Sequence, residues 1–174
     1  MLIGDPYKFA VLFERVKYWN ASLADNNGLF ALCINGKLFP NEVINAVISV
    51  SAYDVRESLI DIPANEMIYD MNTEKSFKAL YKLVFPDVDN DDDNDYRYLL
   101  ATSDLTDIDN LVFAVEGRGK IKILAAKLEY DVAESTHIID KSAITEVILE
   151  KEEINKIINQ LEEMEQVFKN SENQ

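Results

Sequence analysis

Two short turns constrain the fold of this chain more than any other feature. Asn35-Gly36 sits between the apolar run Leu29-Phe-Ala-Leu-Cys-Ile34 and the segment Lys37-Leu-Phe39. Asn-Gly supplies the positive φ angles that a type I′ hairpin turn needs, so the two flanking runs are predicted to be antiparallel neighbours. Glu116-Gly-Arg-Gly-Lys120 separates Leu111-Val-Phe-Ala-Val115 from the strand-like stretch Lys120–Tyr130 and is a second hairpin signal. Parallel strands need a crossover of a dozen or more residues, so turns this short commit the chain to antiparallel pairing.

The remaining pattern fills in around these hairpins. Phe9 to Trp19 begins as an apolar run and then alternates, which reads as a strand. Pro40 ends the pairing of the 37–39 segment. Glu42 to Ala52 is rich in Val and Ile and reads as a further strand, although Ser51–Leu59 also fits the start of a short helix. Phe77, Leu80, Tyr81 and Val84 recur at i, i+3, i+4 and i+7, which predicts an amphipathic helix over Thr73–Val84 with Thr73 as its N-cap. Tyr96–Ala101 and Ala143–Glu150 read as strands. From Lys151, the residues Ile154, Ile157, Ile158, Leu161, Met164 and Phe168 keep helical spacing, which predicts a closing helix of about 18 residues. The expected fold class is α+β: a single domain over residues 1–169 with a largely antiparallel sheet, packed by two or three helices, and a frayed tail over residues 170–174. Gly4, Pro6, Gly28 and Gly36 read as turn residues, Phe9, Phe30 and Phe39 as core, and Trp19 as packing at a sheet edge.

Charge divides this chain unevenly. Its formal net charge is -15, and residues 87–174 hold 22 of the 32 acidic side chains but only 9 of the 17 basic ones. The concentration peaks in Asp87-Val-Asp-Asn-Asp-Asp-Asp-Asn-Asp95. Like charges repel in a compact state, so fold stability gives no reason to collect them. A cation held by oxygen ligands or a basic partner would. The EF-hand loop needs glycine at position six and glutamate at position twelve. Starting at Asp87 those positions are Asp92 and Tyr98, and starting at Asp89 they are Asn94 and Leu100. Neither register fits, which leaves a partner-facing surface as the favoured reading. A cation-binding protein or metal-dependent hydrolase using the Asp87–Asp95 cluster is the alternative, and an assembly adaptor that dimerises through the 151–168 helix is a second one.

Other chemistries find little support. An acidic chain of pI near 4.4 is unsuited to direct nucleic-acid binding, which needs a basic face. Gly117-Arg-Gly-Lys120 lacks the four intervening residues and following Ser or Thr of a P-loop. Its neighbours Arg118, Lys120 and Lys122 are expected on the open face or tip of the hairpin. His137 is the only histidine, and nothing around it and Ser135 resembles a nucleophile elbow. Cys33, the only cysteine, lies in an apolar run and reads as a small buried hydrophobe. No apolar run reaches the roughly 18–20 residues that span a bilayer, and the first residues lack the basic and apolar regions of a secretory signal. The expectation is a cytoplasmic protein that is not an enzyme, with no cofactor and no zinc site.

Gly4-Asp-Pro6, Phe9-Ala10, Trp19, Gly28-Leu-Phe30 and Ile34-Asn-Gly-Lys-Leu-Phe-Pro40 together resemble the immunity protein 42 family of bacterial polymorphic-toxin and contact-dependent inhibition systems. The resemblance implies an α+β protein, encoded beside a toxin, that protects the producing cell by binding the toxin domain. It implies no functional residues of its own. Joined to the charge pattern, it predicts stoichiometric neutralisation of a cognate toxin, with a basic nuclease as the expected partner class because such a domain must attract phosphate. In that reading Asp89, Asp91, Asp92, Asp93 and Asp95 steer the partner, Asp104, Asp107 and Asp109 extend the field, and Tyr96 and Tyr98 anchor it. The residues leave the oligomeric state open.

Overall fold

The computed structural model describes residues 1–21, 26–86, 94–100, 103–131, 136–138 and 143–171. Strands β1 (Leu2–Gly4), β2 (Phe9–Arg15), β3 (Asn27–Ile34) and β4 (Lys37–Phe39) form an antiparallel sheet in sequence order, and β5 (Ala46–Val47) pairs with the start of β3. Helix α1 (Ile48–Ile60) follows, then the short α2 (Glu66–Tyr69) and α3 (Thr73–Val84). After α4 (Ser103–Thr106) come β6 (Asn110–Gly117) and β7 (Lys120–Lys127), and then a small hairpin of β8 (Glu129–Asp131) and β9 (Thr136–Ile138). The last strand, β10 (Thr145–Glu150), pairs with β7 to give a second sheet of order β10-β7-β6, and leads into α5 (Lys151–Ser171).

Both hairpin turns form as the residues require. Asn35 and Gly36 have φ of 50° and 75°, and Arg118 and Gly119 have φ of 52° and 74°. Two consecutive positive φ values are the signature of the type I′ turn. The β6–β7 register follows directly, running from Gly117 opposite Lys120 to Asn110 opposite Lys127.

The second sheet is buried on both faces. Val112 and Ala114 of β6 with Ile121, Ile123 and Ala125 of β7 face a core shared with the first sheet, α1 and α5. Their alternate neighbours Leu111, Phe113, Val115, Leu124 and Ala126 face a second cluster built from α2 and α3. There Phe77 meets Phe113 edge to face, with centroids 5.0 Å apart. This layering explains why Leu111–Val115 is apolar at every position instead of alternating.

Several local expectations are corrected. Only Ala46–Val47 of the 42–52 stretch is strand, because Ile48, Ala52, Val55 and Leu59 repeat at helical spacing and all are buried on one face of α1. The strand expected from Phe9 to Trp19 stops at Arg15, and Lys17–Trp19 makes a 3-10 turn. Tyr96–Tyr98 is likewise a 3-10 turn, with only Leu99 bridging to Phe113. Asn72, not Thr73, caps α3, its side chain accepting from the Lys75 amide at 3.0 Å. Gly28 is a strand residue: a Cβ there would overlap the Glu14 carbonyl oxygen and the Ile48 side chain. Helix α5 is longer than expected, at 21 residues, and enters through Glu153, whose carboxylate accepts from the Glu150 amide at 3.0 Å. Its apolar stripe, Ile154, Ile157, Leu161 and Met164, lies in this chain's own core, where it cannot also serve as a dimer seam.

Candidate functional site

Of the acidic run, Asp89, Asp91, Asp92 and Asp93 lie outside the described residues; Asp95 is described. Its amide donates to the Leu83 carbonyl at 2.8 Å, which fastens the end of the run to α3. Its carboxylate accepts from both Nε and Nη2 of Arg97 at 2.8 Å, a two-point contact. The Arg97 hydrogen bonds hold the Asp95 carboxyl below its ordinary range. Tyr96 projects beside it at 55% exposure, with its ring edge-on to Phe85 and its hydroxyl accepting from Asn94 Nδ2 at 2.6 Å. Tyr98 departs from expectation. It is only 6% exposed and packs in the second core cluster, so its ring supports the fold and is not free to anchor a partner. The 3-10 turn sends the two tyrosines in different directions, whereas a strand would have put 96 and 98 on one face.

Asp104, Asp107 and Asp109 follow on α4 and the turn after it. The Asp104 carboxylate accepts from Ser51 Oγ of α1 at 2.8 Å. This brings it near Asp54, whose carboxyl is pushed up by burial and, secondarily, by the charge of Asp104. Asp107 is exposed. Asp109 occupies a left-handed backbone position, φ 59°, and its carbonyl accepts from the Leu128 amide at 2.8 Å. At the other end of α1, the charge of the exposed Asp61 acts on Arg97. Asp104 thus meets α1 through Ser51, close to Asp54, while Asp61, just past the end of the helix, reaches Arg97 only through its charge. Composition gives no reason to single out Asp54 or Asp61, since neither belongs to a charge run; the fold sets Asp54 near Asp104 and Asp61 within electrostatic reach of Arg97.

The cations nearby are held by the chain's own carboxylates. Arg118 pairs with Asp70 at 2.6 Å, Lys120 with Glu150 at 2.5 Å and Lys151 with Glu116 at 2.5 Å. Lys122 corrects the expectation of an open basic face. Strand alternation turns it toward α2 and α3, where it is 4% exposed and its ammonium donates to the Met71 carbonyl at 2.9 Å and lies 5.2 Å from the Tyr69 ring centre. On α1, Arg56 bridges to Glu165 of α5 at 2.5 Å with both side chains largely buried.

Features that would support other chemistry are sparse. Among the described residues no group of three His, Cys, Asp or Glu could hold a metal ion, and no helix is long and apolar enough to cross a membrane. His137 sits on β9 opposite Tyr130, while Ser135 lies outside the described residues. Cys33 is buried, and burial pushes its thiol up, away from the thiolate that a nucleophile needs. An open groove of about 560 Å³ between β1 and α5 is crossed by the Lys8–Glu153 ion pair at 2.6 Å, and its lining contains no Ser, Cys or His.

The fold and this face define an acidic α+β scaffold whose most distinctive chemistry lies on its surface. The immunity protein 42 family model matches residues 1–164, and the chain belongs to that family. Toxin-neutralising immunity is the function that membership carries. Among solved structures, the chain is similar to one titled "Crystal structure of CdiI from Burkholderia dolosa AUO158", with a TM-score of 0.73 and 20% sequence identity over 92% of this chain and 97% of that one. At that identity the likeness concerns the fold. No curated protein matches the sequence. The resemblance read from Gly4 to Pro40 thus extends over nearly the whole chain, through the second sheet and into α5, where no sharp motif marks it.

Proposed function

We propose that this immunity protein acts in the cytoplasm as a non-catalytic, stoichiometric inhibitor, and that its cognate toxin is a basic nuclease domain met by the acidic face along α1 and the 87–109 region. The observation that carries the reading is the charge asymmetry: 22 of 32 carboxylates fall in residues 87–174, while Arg97, Arg118, Lys120 and Lys151 are each neutralised within the chain. A basic surface that must attract phosphate is drawn to such a field, and its occupation excludes nucleic acid. Asp89, Asp91, Asp92, Asp93 and Asp95 steer the encounter, Asp104, Asp107 and Asp109 extend the field, and Tyr96 contributes contact area. Tyr98 and the Asp109 backbone hold the surface in place from behind.

Steering and contact separate experimentally. Replacing Asp89, Asp91, Asp92, Asp93 and Asp95 together by Asn should lower the association rate for the toxin domain encoded beside this chain by at least about tenfold at low salt. The slope of that rate against ionic strength should flatten at the same time. An unchanged rate and slope would remove the acidic run from the interface.

A further inference from the structure

Charge steers an encounter but is screened within about 8 Å at physiological salt, so a tight complex also needs buried apolar contact. With Tyr98 in the core, Tyr96 is left as a single anchor beside the run, and further apolar contact has to come from elsewhere on the surface. The outer side of α1 supplies a candidate. Its inner residues Ile48, Ala52, Val55 and Leu59 fill the core, yet Val47, Val50 and Tyr53 on the same segment remain about half exposed. A helix that needs only an inner apolar stripe carries polar residues outside. The 3-10 turn Lys17–Trp19 lies beside the start of this helix. Asn27 pairs with Val47 across the sheet, and its Nδ2 donates to the Trp19 carbonyl at 3.3 Å. The turn presents Tyr18 at 94% exposure and Trp19 at 39%.

The backbone behind these side chains is held by hydrogen bonds. Asn20 Nδ2 donates to the Val16 and Asn27 carbonyls at 2.6 and 2.9 Å, and Asn20 Oδ1 accepts from the Asn27 amide at 2.7 Å. Tyr53 is braced by the Arg56 guanidinium, 5.5 Å from its ring centre. Exposed aromatics on a backbone already held in place lose little freedom when a partner covers them. We propose that Tyr18, Trp19, Val47, Val50 and Tyr53 form the anchoring surface for the toxin domain, and that the toxin segment seated there is apolar at its centre and cationic on the side facing α1. Charge complementarity chooses that occupant: Asp54 and Asp104 border the ridge on the α1 side, with Glu57 already paired to Arg56 at 2.9 Å, while Arg15 and Lys17 flank the turn on its strand side.

The inference rests on the toxin-binding reading, and one binding series tests the two separately. Tyr18→Ala, Trp19→Ala and Val50→Ser are compared with the unaltered protein for affinity to the adjacent-gene toxin domain, at about 0.15 M and about 0.5 M salt. Thermal melts identify any variant whose fold has suffered; Tyr18 is 94% exposed and Val50 about half exposed, so neither Tyr18→Ala nor Val50→Ser touches the core. At least one of these two, and Trp19→Ala, should weaken binding by roughly 30-fold or more, chiefly through faster dissociation, and the loss should persist at the higher salt. If the unaltered protein binds while all three folded variants stay within about twofold of it, the anchoring surface is wrong and the proposed function stands. If the unaltered protein itself does not bind the toxin domain, the proposed function fails and the anchor falls with it.

Discussion

The β6–β7 hairpin and helix α1 both carry long apolar stretches, and they use them differently. In β6 every residue from Leu111 to Val115 is at most 4% exposed, because one face meets the shared core and the other meets α2 and α3. In α1 four residues fill the core while Val50, Tyr53 and Ile60 stay about half exposed. Packing accounts for the whole of the first stretch and for only half of the second. The difference separates the part of the chain that must be what it is in order to fold from the part left free to suit a partner.

The largest effect should come from the packed region. Phe113 is fully buried and stacked edge-on against Phe77, so Phe113→Ala removes a ring from a site with little room to collapse. Urea denaturation should show a loss of roughly 3–5 kcal/mol, against changes within about 0.5 kcal/mol for Val50→Ser on α1. A small loss at Phe113 would mean that the second core is loosely packed, and the contrast would collapse.

The Arg56–Glu165 pair tests how α1 is held where it packs on α5. Glu165 is 6% exposed, and its removal leaves the guanidinium partly buried with Glu57, at 2.9 Å, as its other carboxylate. Removing one member of a wholly buried pair costs roughly 3–5 kcal/mol. Because Arg56 keeps that second partner and some access to water, Glu165→Ala is expected to cost about 2–3 kcal/mol. Affinity for the toxin domain should change only if Tyr53, braced by the same Arg56, belongs to the contact. Equal stability of Glu165→Ala and the unaltered protein would show that α1 is held by its apolar face alone.

This division also explains what could be read in advance. The hairpins were legible because Asn35-Gly36 and the Arg118-Gly119 turn meet a local stereochemical demand that no tertiary contact overrides. Helices α3 and α5 were legible because their burial follows one period. Helix α1 was misread as strand in its first turn, since Val, Ile and Ala suit either structure and only the shared core selects position 48, 52, 55 and 59 over alternation. The site was partly legible for a similar reason. A run of aspartates announces itself, whereas Asp54 comes near Asp104, and the Trp19 turn near the start of α1, only through the fold. Lys122 and Tyr98 show the converse: a cation and an aromatic, both read as surface, were drawn inside by strand alternation and by a 3-10 turn.

The smallest effect concerns proton binding, and it compares two carboxylates on the acidic face. Asp95 is held below its ordinary range by hydrogen bonds from Arg97, so its contribution to stability is present above the unfolded value and is lost as pH falls through the folded one. Asp54 has the opposite sign. Burial, aided by the charge of Asp104, raises its carboxyl above the ordinary value of 3.8. The folded state therefore binds that proton more tightly than the unfolded chain does. The resulting stability is fully present below the unfolded value and disappears as pH rises through the folded one, so ionised Asp54 weakens the fold at neutral pH. Asp54→Asn should match the unaltered protein in acid and become the more stable of the two above the Asp54 transition. Asp95→Asn should likewise match in acid but become the less stable above its own. Denaturation midpoints measured from acid to neutral pH read both differences. If Asp54→Asn gains nothing at neutral pH, Asp54 is as well accommodated as any packed residue. A gain would mark it as a group kept at some expense to the fold, which is what a cationic partner covering α1 would explain.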